Sequence, residues 1–225
     1  MAVRKELAEA AEDLRYLLAR GYRREPALKL VGDKRRLSRL ERLMLYRGVY
    51  DGATAEARRR KLADPAEASG RRLAVDGYNV LITLEAALSG APLILCDDGV
   101  VRDLTASHGK HKATERTAKA LRLLIGFLKE AKPSEANFFF DSQVGGSGEL
   151  AAKVGRMLAE AGLKGSARAV KRGDKAALLG GEIVATSDSA LIDKARLAID
   201  IAQKIIRERG LAEPIKLTDP GRRRA

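Results

Sequence analysis

Apolar and polar residues alternate with two different spacings along this chain, and the spacing changes near residue 71. Before that point apolar residues recur every three or four positions, which is the spacing of an amphipathic helix. This spacing predicts helices over residues 3–20, 26–31, 40–48 and 53–62, the third preceded by a capping box at Ser38–Glu41. A polar stretch at 64–70 is typical of a linker. Residues 1–63 are therefore predicted to form a small all-α module.

From Arg71 onward, short apolar runs bounded by turn residues alternate with helical patterns. Strands are predicted at 73–76, 92–96, 136–141, 167–170 and 182–186, with a last edge strand at 214–218. Helices are predicted at 79–88, 113–131, 147–161 and 189–209. Strands that alternate with helices in this way build buried parallel sheets. We therefore predict an α/β domain over residues 71–218, with a Rossmann-like, mostly parallel sheet.

Three of the apolar runs stop at an aspartate, namely Asp76, Asp141 and Asp188. The carboxyl ends of parallel strands gather at one edge of a sheet, so all three side chains are expected there. Clustered acids repel one another unless a cation or a proton lies among them, and Mg²⁺ and Mn²⁺ prefer oxygen ligands. The pattern predicts a divalent-cation site and metal-assisted phosphate chemistry. The alternative for each aspartate alone is that it only caps the following helix.

Two neighbouring residues offer further oxygen donors. Asn79 lies near a predicted helix start, where its side chain would hold a ligand or orient Asp76. Ser187 directly precedes Asp188, and its hydroxyl would bind a phosphate or a water, or else cap the next helix. We expect both residues to support the aspartates as substrate contacts or as groups behind the metal ligands.

Two other segments are weaker candidates for the same site. The glycine-rich loop at 142–149 could bind a phosphate with its backbone N–H groups, which makes Ser147 a candidate substrate contact. Glu149 in this loop is either a further ligand or an acid favoured in the first turn of a helix. Asp98 follows the second apolar run, where adjacent acids would join the metal site or form a turn.

The charge of the chain favours a polyanionic partner. Formal net charge is +13 with a pI near 10.0. Residues 1–72 hold 19 Lys/Arg against 11 Asp/Glu, a net +8, whereas residues 73–225 hold 24 against 19, a net +5. Nucleic acid is the usual partner of so basic a protein. Tyr16, Tyr22, Tyr46 and Tyr50 would stack on bases if exposed, but we expect them to pack in the core.

Composition also narrows the class of protein. No apolar run is long enough to cross a membrane, and the N-terminus lacks the apolar block of a signal peptide. Cys96 is the single cysteine, so an internal disulfide is impossible and a reducing cytoplasm is the expected location. Few Asn and Gln residues together with 32% charged residues favour a heat-adapted source. The sequence leaves the oligomeric state open.

Three of these elements resemble the PIN/NYN superfamily of metal-dependent nucleases over roughly residues 71–210. They are Asp76-Gly-Tyr-Asn79, the aspartate that ends Phe138–Asp141, and Thr186-Ser-Asp188. The resemblance implies a Rossmann-like sheet, Mg²⁺ or Mn²⁺ as cofactor, and cleavage of RNA phosphodiester bonds.

The N-terminal region has a resemblance of its own. The stretches Tyr16–Arg23, Leu30–Asp33 and Leu37–Arg42 resemble domain of unknown function 434. That domain is a small helical module found ahead of a PIN-like domain in uncharacterised, largely archaeal proteins.

The leading interpretation is a metal-dependent ribonuclease, with Asp76, Asp141 and Asp188 as metal ligands and the basic helical module holding the RNA backbone. A second interpretation is a non-catalytic nucleic-acid-binding protein with a helix-turn-helix at 26–48. A third is a phosphatase acting on a small substrate. Within that third class, a haloacid-dehalogenase type is disfavoured because no acid stands two residues after Asp76.

Overall fold

The structure is a computed structural model that describes residues 3–105 and 111–217. The helices are α1 (Lys5–Ala19), α2 (Arg24–Lys34), α3 (Arg39–Gly48), α4 (Gly52–Arg59), α5 (Gly77–Leu88), α6 (Glu115–Ala131), α7 (Ser147–Glu160), α8 (Gly173–Gly180), α9 (Ser189–Lys194) and α10 (Ile201–Glu208). The strands are β1 (Arg72–Asp76), β2 (Leu93–Leu95), β3 (Val101–Asp103), β4 (Glu135–Asp141), β5 (Gly165–Val170), β6 (Ile183–Ala185), β7 (Ala198–Ile199) and β8 (Ile215–Lys216). Within the described ranges, none of the helices has the length and apolar character that a bilayer crossing requires.

The chain divides into two compact units. So far as their residues are described, the first takes in Met1–Arg60, Pro92–Leu104 and Glu213–Ala225, and the second takes in Lys61–Ala91 and Thr105–Ala212. The first unit contains the four N-terminal helices, and their buried side chains include Leu14, Met44 and Leu45. The predicted capping box is present at the start of α3, where the Glu41 backbone N–H donates to Ser38 Oγ.

The first unit also contains a small sheet with strand order β3-β2-β8. We predicted the strand at 92–96 within the α/β domain, but β2 pairs antiparallel with β3 and parallel with β8 instead. The reason is a tight turn after β2. Gly99 adopts φ +88°, its N–H donates to the Cys96 carbonyl, and the Cys96 N–H donates to the Val100 carbonyl. The chain therefore returns at once beside β2.

The second unit contains a five-stranded sheet with strand order β5-β4-β1-β6-β7, and every pairing in it is parallel. From β1 the chain builds β4 and β5 on one side, then crosses to build β6 and β7 on the other. The strand order therefore reverses between β1 and β6, which is the topological switch point at which open α/β sheets bind ligands. The predicted α/β fold, with a mostly parallel sheet and an N-terminal all-helical region, is confirmed.

One helical prediction in the second unit was wrong, and one helix was missed. The single helix predicted over 189–209 is interrupted by β7, whose residues Ala198 and Ile199 pair with β6. A short buried strand cannot be told from a helical turn by periodicity alone. The chain restarts as α10 because Asp200 caps it by accepting from the Gln203 N–H at 2.8 Å. Helix α8 was not predicted.

Candidate functional site

The carboxyl edge of the five-stranded sheet brings together the residues that end its strands. Asp76 ends β1, Asp141 ends β4, and Asp188 follows β6. The register pairs Asp76 with Phe139, so Asp141 lies two residues further along the neighbouring strand. The chain turns into α5 at Gly77, where a Cβ atom would lie 2.4 Å from Phe140 Cε1. A glycine is therefore required there by close packing.

Thr186 links two of the aspartates at the switch point. Its side chain is fully buried, and its hydroxyl donates to Asp76 Oδ2 at 2.9 Å. The Thr186 hydroxyl oxygen in turn accepts the Asp188 backbone N–H at 3.0 Å. Thr186 thus fixes the Asp76 carboxylate against the backbone that carries Asp188.

Asn79 fixes the same loop from the first turn of α5. Its side-chain oxygen accepts the Ser187 backbone N–H at 2.7 Å and the Ser187 hydroxyl at 3.0 Å. The structure therefore links the two predicted supporting residues to each other, next to the Thr186 that contacts Asp76. In this arrangement Asn79 holds the loop between β6 and α9.

Asp188 and Asp141 each use one carboxylate oxygen for local structure. Asp188 Oδ1 accepts the Leu191 N–H at 2.9 Å and so caps α9, the alternative role considered for such aspartates. Asp141 Oδ1 accepts the Gln143 N–H at 2.9 Å in a turn. In the part of the chain that the structure describes, the second oxygen of each accepts no hydrogen bond. Both carboxylates therefore keep an oxygen for a ligand.

The electrostatics of the edge centre on Asp76. Its pKa is raised from 3.8 to about 7, chiefly because burial disfavours the charged carboxylate. The hydrogen bond from Thr186 opposes this increase in pKa, whereas the negative charges of Asp174 and Asp188 add to it. Asp76 is thus poised between its charged and neutral forms near neutral pH.

Asp174 is a site residue that the sequence reasoning missed. It lies in the first turn of α8, which begins soon after β5 ends. The available signal was Gly173-Asp174 ahead of Lys175-Ala-Ala-Leu-Leu, a turn followed by an apolar helical pattern. Because no helix was predicted there, the acid was not assigned to the edge of the sheet.

A cavity of about 470 Å³ lies at this edge and combines acids with cations. Its acids are Asp141 and Asp174. Its cations are Lys171, Arg172, Lys175 and Lys194. Among the described residues, none of these four cations is paired with an acid. The cavity therefore offers both carboxylate oxygens and uncommitted positive charge.

No preformed metal cage is present in residues 3–105 and 111–217, where no group of three or more His, Cys, Asp or Glu side chains is arranged to hold an ion. The shared ligation of one ion by Asp76, Asp141 and Asp188 stays a prediction. Ser147 and Glu149 begin α7, the serine buried and the glutamate exposed. In these ranges, neither residue is linked to the aspartates by a hydrogen bond or an ion pair.

Asp98 needs a correction, because the structure gives it a different role. It is fully buried in the first unit, and both of its oxygens are bound by arginines. Arg58 donates to it at 3.1 Å, and Arg102 donates to it at 2.9 and 2.8 Å. A carboxylate already held by two guanidinium groups is a structural anchor, so we remove Asp98 from the candidate site.

Comparisons with known proteins give a family match for each of two regions of the chain. Residues 6–61 match a protein family of unknown function, DUF434, which confirms the predicted N-terminal resemblance. Residues 65–204 match a domain of unknown function, DUF5616. Neither match is to a PIN or NYN nuclease, so that resemblance stays a prediction.

A relative is found along nearly the whole chain. An uncharacterised protein of Methanocaldococcus jannaschii is 35% identical over 202 residues, which cover 89% of this chain and 96% of the relative. No solved structure matches the chain. Since the DUF5616 match spans more than half of the 225 residues, the chain belongs to the DUF5616 family, with a DUF434 region ahead of that domain.

Proposed function

We propose that the second unit is a metal-dependent ribonuclease that cleaves RNA phosphodiester bonds at the carboxyl edge of its sheet. The observation that carries this proposal is the cavity with acids and unpaired cations together. RNA presents one negative phosphate per nucleotide, and Lys171, Arg172, Lys175 and Lys194 are suited to hold it. A metal ion held by the acids beside those cations would bring the phosphate and the carboxylates together, because its charge offsets their mutual repulsion.

The donor set fits Mg²⁺ or Mn²⁺, because it consists of oxygen atoms from carboxylates, an amide and hydroxyls. A divalent cation would relieve the repulsion that Asp174 and Asp188 exert on Asp76. Mg²⁺ is commonly held by one or two carboxylates, with waters and substrate phosphates completing its shell. The proposal therefore does not require three acids already in contact. Asp76, Asp141 and Asp188 remain the proposed ligands.

A bound ion would supply an activated water and stabilise the leaving oxygen. The chain's own residues prepare the site for this. Thr186 orients the Asp76 carboxylate through its 2.9 Å hydrogen bond, and Asn79 fixes Ser187 and so the approach to Asp188. The four cavity cations neutralise the phosphate as it enters.

The proposal is tested by incubating labelled single-stranded RNA with the full chain and Mn²⁺ or Mg²⁺, with EDTA as the metal-free arm. We expect metal-dependent cleavage that Asp188→Asn reduces at least about a hundredfold. The amide oxygen of that variant can still accept from Leu191, so α9 keeps its cap. Asn79→Ala should lose less activity, because Asn79 positions a loop. Glu160→Gln, an exposed charge change in the same unit, should match wild type.

A second readout does not depend on activity. Mn²⁺ or Mg²⁺ should raise the melting temperature of the wild type, because only the folded chain has the site, and Asp76→Asn should abolish this increase. Equal cleavage by wild type and Asp188→Asn would refute the assignment and indicate a contaminating nuclease. Competition by small phosphate esters in place of polynucleotide would favour a phosphatase.

The second candidate function is a nucleic-acid-binding protein without catalysis. The specific observation in its favour is that six cations of the N-terminal helices and their turns have no acid partner among the described residues. Tight RNA binding with no cleavage of any RNA or DNA under any metal would support this alternative over the nuclease.

A further inference from the structure

The basic side chains of the N-terminal helices are unevenly paired with acids. Residues 1–60 hold 16 Lys/Arg against 9 Asp/Glu, a net +7. Ten of these cations form ion pairs with acids of the first unit: Arg4, Lys5, Arg15, Lys34, Arg35, Arg42, Arg47, Arg58, Arg59 and Arg60. Most of the basic side chains are therefore used within the fold.

The cations that find no acid partner among the described residues fall in one segment, residues 20–39. They are Arg20, Arg23, Arg24, Lys29, Arg36 and Arg39. This segment holds 8 Lys/Arg against only Glu25 and Asp33, so it carries +6 of the net +7. It runs from the turn after α1, through α2, to the start of α3. A local excess of this size attracts a polyanion.

Three large aromatic side chains stand exposed at the same place. Tyr16 is 59% exposed, Tyr22 is 58% exposed and Tyr46 is 47% exposed. The prediction that the N-terminal tyrosines pack in the core was wrong for these three, whereas Tyr50 is buried as predicted. A tyrosine this exposed gains little from burial, so its ring is available to a partner.

Arginines of segment 20–39 lie against two of these rings. The Arg20 guanidinium lies 4.4 Å from the centre of the Tyr16 ring, and that of Arg24 lies 5.9 Å from the Tyr46 ring. Tyr22 lies between the two arginines in the sequence Arg20-Gly-Tyr-Arg-Arg24. Exposed rings and arginines without an acid partner among the described residues therefore alternate over this part of the first unit, and Arg24 also donates to the backbone carbonyls of Tyr46 and Val49.

We propose that segment 20–39, together with Tyr16 and Tyr46, binds single-stranded RNA. We name it the tyrosine–arginine surface. Proteins that hold single strands combine aromatic rings, on which bases stack, with cations that track the phosphates. Duplex bases are already stacked on one another, so exposed rings gain most from an unpaired strand. The inference deepens the proposed function, on which the choice of RNA rests, by specifying an unpaired strand and where it is held.

The test measures binding without cleavage. Fluorescence anisotropy would follow the full chain binding a labelled oligouridylate of about a dozen nucleotides in EDTA. We expect Tyr22→Ala to raise Kd about tenfold and Tyr22→Phe, which keeps the ring, to raise it less than about twofold. Arg23→Ala should reduce the slope of log affinity against log salt by about one. Matched controls are Leu179→Ala, an exposed apolar side chain of the second unit, and Arg60→Ala, an exposed arginine that is paired with Glu56.

The outcomes separate this inference from the nuclease. Unchanged affinity in the Tyr16→Ala, Tyr22→Ala, Tyr46→Ala triple variant would overturn it, as would equal affinity for a duplex RNA of the same length. Tighter binding to single-stranded DNA than to RNA would overturn the choice of RNA. If Tyr22→Ala weakens binding while no cleavage is ever seen, the tyrosine–arginine surface stands and the nuclease fails. If cleavage depends on Asp188 but the tyrosine variants bind normally, the reverse holds.

Discussion

Aspartates follow apolar strands in both units of this chain, but their surroundings differ. In the first unit, Arg15 binds Asp97 through two hydrogen bonds of 2.8 and 2.7 Å, and Asp98 is bound by Arg58 and Arg102. In the second unit, Asp76 is paired with no lysine or arginine in the part of the chain that the structure describes. Its carboxylate instead lies near further acids.

The difference separates a structural acid from a candidate functional one. A buried carboxylate with bound guanidinium groups has its charge neutralised within the fold. A carboxylate held beside other acids keeps an unfavourable charge, which the raised pKa of Asp76, about 7, records. Folding alone gives no reason to retain such a group, whereas an incoming cation does. Uncompensated charge therefore distinguishes the aspartates of the second unit from those of the first better than residue type does.

The largest effect is expected from Asp98→Ala. Removing this carboxylate takes a buried ionic partner from both the Arg58 and the Arg102 guanidinium groups, which should cost about 3–5 kcal/mol of unfolding free energy. Urea denaturation of wild type and variant measures the difference. Glu56→Ala removes the exposed partner of two arginines in the same unit and should stay close to wild type. Equal losses in the two variants would mean that Asp98 is not an anchor.

Asp76→Asn is expected to change the unfolding free energy by less than Asp98→Ala does, and to raise it where Asp98→Ala lowers it. Because the folded-state pKa of Asp76 is raised, protonation favours the folded state. Its stabilising contribution is complete below about pH 4 and is lost as pH rises towards about 7. Wild type should therefore lose on the order of 2 kcal/mol between pH 5 and pH 8 through this one group, and the neutral asparagine should not.

Metal-free urea denaturation at pH 5 and pH 8 measures this pH dependence. Glu160→Gln, which removes an exposed carboxylate from the same unit, is the control and should follow wild type at both pH values. If Asp76→Asn changes the unfolding free energy equally at both pH values, its carboxylate does not titrate in this window. The contrast with the neutralised acids of the first unit would then fail.

The sequence was sufficient to predict where the strand-end acids of the second unit lie, because each acid directly follows or lies close to the apolar run that forms its strand. A buried apolar run that stops at Asp76 or Asp188 predicts both the strand and the edge on which the acid lies. Asp174 could not be found in the same way, since it lies in the first turn of a short helix that begins three residues beyond β5. Its distance from Asp76 depends on how α8 packs against the sheet, and the spacing of apolar residues does not predict that packing.

The role of Asp98 was hidden for a different reason. Its neighbours Arg58 and Arg102 are common residue types, and no spacing indicates that two guanidinium groups meet this carboxylate. The exposure of Tyr22 was equally invisible, because tyrosine occurs both in cores and on surfaces. Partner choice and exposure are tertiary properties, so the sequence could name these residues without assigning them.

The smallest effect on stability is expected from Tyr22→Ala, and it sharpens the comparison within the first unit. Tyr22 is 58% exposed, so its removal should change the unfolding free energy by less than about 0.5 kcal/mol. Tyr50 is 7% exposed and has the Arg58 guanidinium 4.3 Å from its ring centre, so Tyr50→Ala should destabilise the fold far more. Urea denaturation of the two variants under one condition makes the measurement. A Tyr22→Ala variant as unstable as Tyr50→Ala would assign both rings to the fold. A stable Tyr22→Ala variant that binds RNA poorly would mean that the exposed ring is retained for a partner, which is the role we propose for the uncompensated acids of the second unit.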